Sequence, residues 1–246
     1  MNIAHVINRF RDKHHYAIVR LKAVLFDMDG VLFDSMKNHT LAWYKAVSEL
    51  GIPCVQNEFY QYEGATGRWT INHIFKRVYG REATEGEIED IYEEKSRFFN
   101  RLPEANAMPG AKELLKQVKG AGLIPVLVTG SGQRSLLGRL NCEFPGIFSP
   151  EHMVTAFDVR HGKPNPEPYL KGLQKVDVCA GEAMVVENAP LGVKAAVAAG
   201  IFTVAVNTGP IPDEQLRKAG ANLIFPDMEV LNVKMGEILG IVGAGE

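Results

Sequence analysis

KAVLFDMDGVLFD, residues 22–34, decides how this chain is read. Its first half is a short, unbroken apolar run, the pattern of a strand buried on both faces. The run stops at Asp27-Met28-Asp29-Gly30, where two carboxylates stand one residue apart. Like charges that close raise each other's pKa unless a cation compensates. Alone, such a pair has an ordinary explanation as an acidic turn or a helix cap. The rest of the chain decides between the two.

Apolar, strand-like runs recur at IPVLVTG (124–130), AMVVEN (183–188), FTVAV (202–206) and, more weakly, NLIF (222–225). Each is followed by Gly, Asn or Pro and then by a helical pattern. That alternation predicts an α/β fold, a parallel sheet with helices on both faces. Between the first run and the second the pattern changes. HTLAWYKAVSELG, RWTINHIFKRVYG and TEGEIEDIYEEKSRFFNRL carry helical periodicity with no strand among them, and two of them end at Gly. The expected organisation is a helical or frayed extension over 1–20, a sheet-bearing core over 21–35 and 104–246, and an all-helical insertion over 36–103.

The bulk properties exclude several classes of function. Of 246 residues, 46% are hydrophobic and 23% charged, and 27 Lys and Arg against 29 Asp and Glu leave a net charge of −2. There is no basic field to attract nucleic acid or an anionic membrane. Cys54, Cys142 and Cys179 are scattered and odd in number, as expected of reduced thiols. The first residues, MNIAHVINRFRDKHHYAIVRLK, hold neither a long apolar stretch nor a small-residue cleavage site, and no apolar run is long enough to span a bilayer. A soluble, cytoplasmic monomer acting on a small molecule is expected.

In an open parallel sheet, ligands bind at the carboxyl ends of the strands. After the second apolar run, Thr129-Gly130-Ser131-Gly132 offers a hydroxyl and free backbone N–H groups to an anion. Gly162-Lys163-Pro164-Asn165-Pro166 holds a lysine on a stiff loop. Glu187-Asn188-Ala189-Pro190, at a further strand end, places oxygen donors suited to a hard cation such as Mg²⁺. Each has a dull counterpart: a turn, a solvated lysine, an N-cap. Together at successive strand ends they supply a nucleophile, an acid/base, an anion loop, a counter-charge and metal ligands, the set that phosphoryl transfer requires.

DxDGVxxDS, VTGSG, GKPNPEP and ENAPLGVKAAVAAG resemble the four motifs of the haloacid-dehalogenase-like hydrolases, and within them the β-phosphoglucomutase-like branch with its inserted helical cap. The likeness runs from about Ala23 to Gly220. It implies a Rossmann-like core and a mobile helical cap. It implies that Asp27 attacks phosphorus, that Asp29 serves as acid and base, and that Thr129, Gly130, Ser131 and Lys163 bind the phosphoryl group. It implies Mg²⁺ held by Asp27, the Asp29 carbonyl and the Asn188 position. Many members carry Asp where this chain has Asn188, which removes a charge from the metal site. Glu187 is a candidate to restore it, directly or through water.

The cap reads the leaving group in such enzymes. Sugar-phosphate mutases carry basic residues in the loop that here reads Tyr62-Glu63-Gly64-Ala65-Thr66-Gly67-Arg68. Glu63 is acidic, Gly67 stands where those mutases have arginine, and Arg68 falls one residue late on a helix. SMxNH, YEG, a cap lysine at Lys95 and ENAPLGV are similar to the inorganic-pyrophosphatase members of the branch. That resemblance makes His39, Glu63 and Lys95 the specificity set, with His39 and Lys95 against the leaving phosphate and Glu63 on the metal. Pyrophosphate is therefore the leading substrate. The alternatives are a sugar-phosphate phosphatase or β-phosphoglucomutase and, more distantly, a catalytically silent binding module on the same fold.

Overall fold

The computed structural model describes residues 2–16 and 20–243. Six parallel strands form the sheet: β1 (Ala23–Phe26), β2 (Ile124–Val128), β3 (Met153–Val154), β4 (Ala183–Glu187), β5 (Phe202–Val206) and β6 (Leu223–Phe225). Their order is β3-β2-β1-β4-β5-β6. The chain thus leaves the centre at β1 in both directions, which puts the carboxyl end of β1 at the switch point where a crevice opens. In register, Phe26 lies beside Leu127 on one side and Val186 on the other, so Asp27, Thr129 and Glu187 emerge side by side.

Ten helices accompany the sheet among the described residues: α1 (Ile3–His14), α2 (Met36–Glu49), α3 (Gly67–Tyr79), α4 (Glu85–Asn100), α5 (Ala111–Gly120), α6 (Arg134–Glu143), α7 (Glu167–Lys175), α8 (Pro190–Ala198), α9 (Asp213–Ala219) and α10 (Met228–Val242). One sheet face presents Val24, Phe26, Leu127, Val186 and Val204 to α1, α5, α6 and α10. The other presents Leu25, Val126, Val128 and Val185 to α7 and α8. A sheet covered on both faces explains why its strands read as continuous apolar runs rather than as alternating ones.

The helices α2, α3 and α4, with a 3-10 segment at Gln56–Tyr62, enclose an apolar cluster of their own built on Trp43, Phe59, Ile74 and Ile91. They form the helical cap over the strand ends. The N-terminal extension resolves to a packed helix rather than a frayed one. Asn2 caps α1 by accepting from the His5 N–H. Ile3, Ile7 and Phe10 are buried in the main core, with Phe10 edge-on to Phe202 at 5.2 Å. Strand β3 went unread in the sequence, because two residues carry no period. No helix among the described residues is long and apolar enough to cross a membrane.

Candidate active site

The floor of the crevice is an ion cluster. Lys163 is fully buried, and its ammonium donates to Asp27 Oδ1 at 2.6 Å, Glu187 Oε1 at 2.7 Å and the Val128 carbonyl at 3.0 Å. All three of its protons are engaged. Glu187 also accepts from the Tyr169 hydroxyl at 2.8 Å and, through Oε2, from the N–H groups of Asn188 and Ala189. Each Glu187 oxygen therefore holds two donors. Glu187, expected on the metal directly or through water, anchors Lys163 and fixes the turn into α8. Burial pushes Asp27 up to about 7, with Lys163 pulling it down and Glu187 and Asp29 adding to the rise.

The tight turn after Asp27 depends on Gly30. Its φ is +80°, and a Cβ there would lie 1.9 Å from Asn188 Nδ2. The Gly30 carbonyl is held from β5's side by the Thr208 hydroxyl at 2.6 Å.

Asp29 sits opposite, and its Oδ1 accepts from Ser35 at 2.5 Å and from His39 Nε2 at 2.9 Å. The other nitrogen of His39, Nδ1, lies 3.0 Å from Lys95 Nζ. An ammonium can only donate, so Nδ1 is the acceptor and Nε2 carries the proton. The result is a directed chain, Lys95 to His39 to Asp29. Burial pushes Asp29 up, but His39, the Ser35 hydroxyl and Lys95 outweigh it and leave the carboxyl below its ordinary value. His39 is pulled down by burial and by Lys95, consistent with a neutral ring. Burial brings Lys95 down to about 8, with Asp29 opposing.

The cap closes directly on this floor. Glu63, buried in the 62–68 loop, accepts from Asn188 Nδ2 in a short hydrogen bond. Tyr92 on α4 accepts from the Gly132 N–H at 3.1 Å. A Cβ on Gly130 would meet the Gly64 carbonyl at 2.2 Å, so two main chains touch where only glycine fits. Thr129 Oγ1 accepts from the Ser131 N–H at 3.0 Å, which orders the loop after β2. Asp27, Asp29, His39, Glu63, Lys95 and Thr129 line one cavity, together with Gly130 and Ser131, of about 50 Å³. Among the described residues no arginine lines it. Arg68 instead makes a two-pronged pair with Glu85 on the outer face of the cap.

Among the described residues, Asp27 Oδ2 and Asn188 Oδ1 are buried without a hydrogen-bond donor. Burial pushes Glu63 well above the usual carboxylate range, with Asp27 and Glu187 adding to it and Asn188 opposing. Two orphaned oxygens beside an excess of buried carboxylates fit a hard divalent cation. Among the described residues no three His, Cys, Asp or Glu side chains form a ready-made metal site. A cation here would draw on the amide of Asn188 and on Glu63 from the cap.

Residues 24–206 match the haloacid dehalogenase-like hydrolase family. The chain belongs to that family. It is 31% identical to the phosphorylated carbohydrates phosphatase of Thermotoga maritima over 87% of this chain and 98% of that protein. It is 27% identical to the β-phosphoglucomutase of Bacillus subtilis over 77% of this chain and 84% of that one. A solved structure from Bacteroides vulgatus, provisionally assigned as a β-phosphoglucomutase, superposes with a TM-score of 0.95 at 51% identity, covering 98% of both chains. This haloacid dehalogenase-like hydrolase lies in the β-phosphoglucomutase-like branch. Three of its site partners, Ser35, Gln133 and Tyr169, were not singled out from the sequence. Ser35 does fall inside the first motif. Gln133 and Tyr169 carry no local signal.

Proposed function

We propose that this hydrolase is a Mg²⁺-dependent cytoplasmic phosphohydrolase that works through an aspartyl-phosphate on Asp27, with inorganic pyrophosphate as its leading substrate. The observation that carries the substrate is the small cavity closed by Glu63. At roughly 10–15 Å³ per water-sized group, its volume of about 50 Å³ admits only a few such groups. A compact dianionic leaving group suits it better than a hexose ring.

In the first step Asp27 attacks phosphorus, a P–O bond forms, and the bond to the leaving oxygen breaks as Asp29 gives up a proton to it. In the second, water attacks the same phosphorus while Asp29 takes its proton, and Asp27 is released with phosphate. Lys163 holds Asp27 by one oxygen and leaves the other without a protein donor. The Thr129–Ser131 loop receives the transferred group. Lys95 and His39 keep Asp29 ionised, the form that activates water. A leaving group bearing its own negative charge offsets Lys95 and moves Asp29 towards the protonated form needed first. Asp27, Asn188, Glu63 and the Asp29 carbonyl would hold Mg²⁺, which supplies charge neutralisation at the phosphoryl oxygens.

The named relatives favour a second reading, a sugar-phosphate phosphatase or mutase. The lack of a cap arginine at the cavity weighs against a mutase. Phosphate release with Mg²⁺ from pyrophosphate, hexose phosphates and hexitol phosphates, side by side, separates the two. Pyrophosphate should lead in kcat/KM by tenfold or more on the ~1.4 kcal/mol scale of one good contact. Faster release from a hexose or hexitol phosphate would replace the substrate reading.

A further inference from the structure

Lys95 is 2% exposed, yet among the described residues no carboxylate pairs with it. Its ammonium touches His39 Nδ1 at 3.0 Å and Gln133 Oε1 at 3.3 Å, both neutral acceptors. The rings of Phe99, Trp43 and Tyr92 box it at 5.0, 5.6 and 5.6 Å. Two of its three N–H positions are taken, and the third is left for whatever occupies the cavity that Lys95 lines. Contrast Lys163, which has two carboxylates within 2.7 Å.

Gln133 is the core residue that receives it. It is 2% exposed and stands just before α6, behind the phosphate loop. Because Lys95 can only donate, the Gln133 amide must turn its oxygen to the lysine and its nitrogen away. That nitrogen donates to Asn100 Oδ1 at 2.9 Å and to Ser135 Oγ at 3.2 Å, and Ser135 also reaches Asn100 at 3.0 Å. Lys95 and Asn100 belong to cap helix α4, and Gln133 and Ser135 to the core. One amide therefore fixes the lysine and ties the cap to the core at the same point.

We infer that Gln133 is a positioning and specificity-determining residue: its neutral amide orients Lys95 on cap closure without putting a carboxylate in contact with the ammonium, whose nearest negative charge, Asp29, stands behind His39, so that the closed site selects a leaving group carrying its own negative charge. A glutamate there would hold the lysine equally well and cancel the charge. A buried cation with only neutral partners is costly, and its retention at the cavity wall is explained if the substrate is the missing counter-ion. This deepens the phosphohydrolase reading and rests on it, but not on pyrophosphate in particular.

The test compares Gln133→Glu, Gln133→Leu and wild type on two phosphate monoesters, phosphoglycolate with an anionic leaving group and glycerol phosphate with a neutral one, alongside pyrophosphate. Wild type should prefer the anionic leaving group. Gln133→Glu should lose at least tenfold more kcat/KM on phosphoglycolate than on glycerol phosphate, chiefly through KM. Gln133→Leu, which removes the tie but adds no charge, should lose on both alike. Equal losses for Gln133→Glu on the two esters, or a wild type indifferent to leaving-group charge, would overturn the inference. Inactivity towards pyrophosphate alone, with the ester discrimination intact, would sink the substrate reading and leave the role of Gln133 standing.

Discussion

The two buried lysines of this site are mirror cases. Lys163, in the core, is compensated on every side by Asp27, Glu187 and a carbonyl. Among the described residues Lys95, in the cap, touches only neutral groups and aromatic rings, with Asp29 one imidazole away. The compensated half is a rigid platform for the chemistry. The uncompensated half is unfinished until an anion enters. The pKa directions follow the same division: Lys163 is raised despite its burial, because of Asp27 and Glu187, and Lys95 is brought down to about 8.

The comparison can be broken from the core side first. Asp27→Asn should cost turnover at least 10⁴-fold, the upper end of the roughly 10²–10⁴ that one acid/base group contributes. Steady-state phosphate release checks it, and a variant retaining more than about a tenth of wild-type rate rules out covalent catalysis by Asp27. Lys163→Met removes one partner from a buried ion cluster and should lower stability by about 3–5 kcal/mol, read from denaturant unfolding. An unchanged midpoint would mean that the cluster is not compensated as its distances indicate.

Ile7→Ala lies outside both halves. It should cost about 2–4 kcal/mol in stability while kcat stays within twofold, since α1 packs on the core and touches nothing in the cavity. Lys95→Met is the smallest and most telling change. The folded protein binds the Lys95 proton less tightly than the unfolded chain, with a pKa of about 8 against 10.5. Between those values the unfolded state carries more protons, so stability rises with pH through the window, and the penalty is full below pH 8. In substrate-free protein, Lys95→Met should thus raise the unfolding free energy at pH 7, by on the order of 1–2 kcal/mol, and the gap should narrow from pH 8 to 10.5. A gap independent of pH would show that Lys95 is not a buried, uncompensated cation.

The same contrast explains what was legible in the sequence. Asp27, Thr129 and Glu187 close apolar runs, and a parallel sheet brings strand ends together by topology alone; Lys163 stands out by its Gly/Pro loop instead. Residues 36–103 read as helices from their period. The two-residue β3 and the roles of Ser35, Gln133 and Tyr169 were not legible. Gln133 is an isolated amide whose meaning exists only once α4 folds back over the core, and Tyr169 gains its partner, Glu187, only when α7 packs against β2 and β3. The pairing of Glu187 with Lys163 was not legible for a related reason: it exists only once the lysine from a distant loop is placed against the strand end.

The account rests on a cap that selects while the core reacts, and Glu63 tests this most directly. The measurement is kcat/KM for pyrophosphate and for glycerol phosphate, with Mg²⁺, in wild type and Glu63→Ala. The account predicts that Glu63→Ala loses about 10²-fold on pyrophosphate, the scale of losing a partner to a metal ligand, and at least tenfold less on glycerol phosphate. An equal loss on both would contradict it.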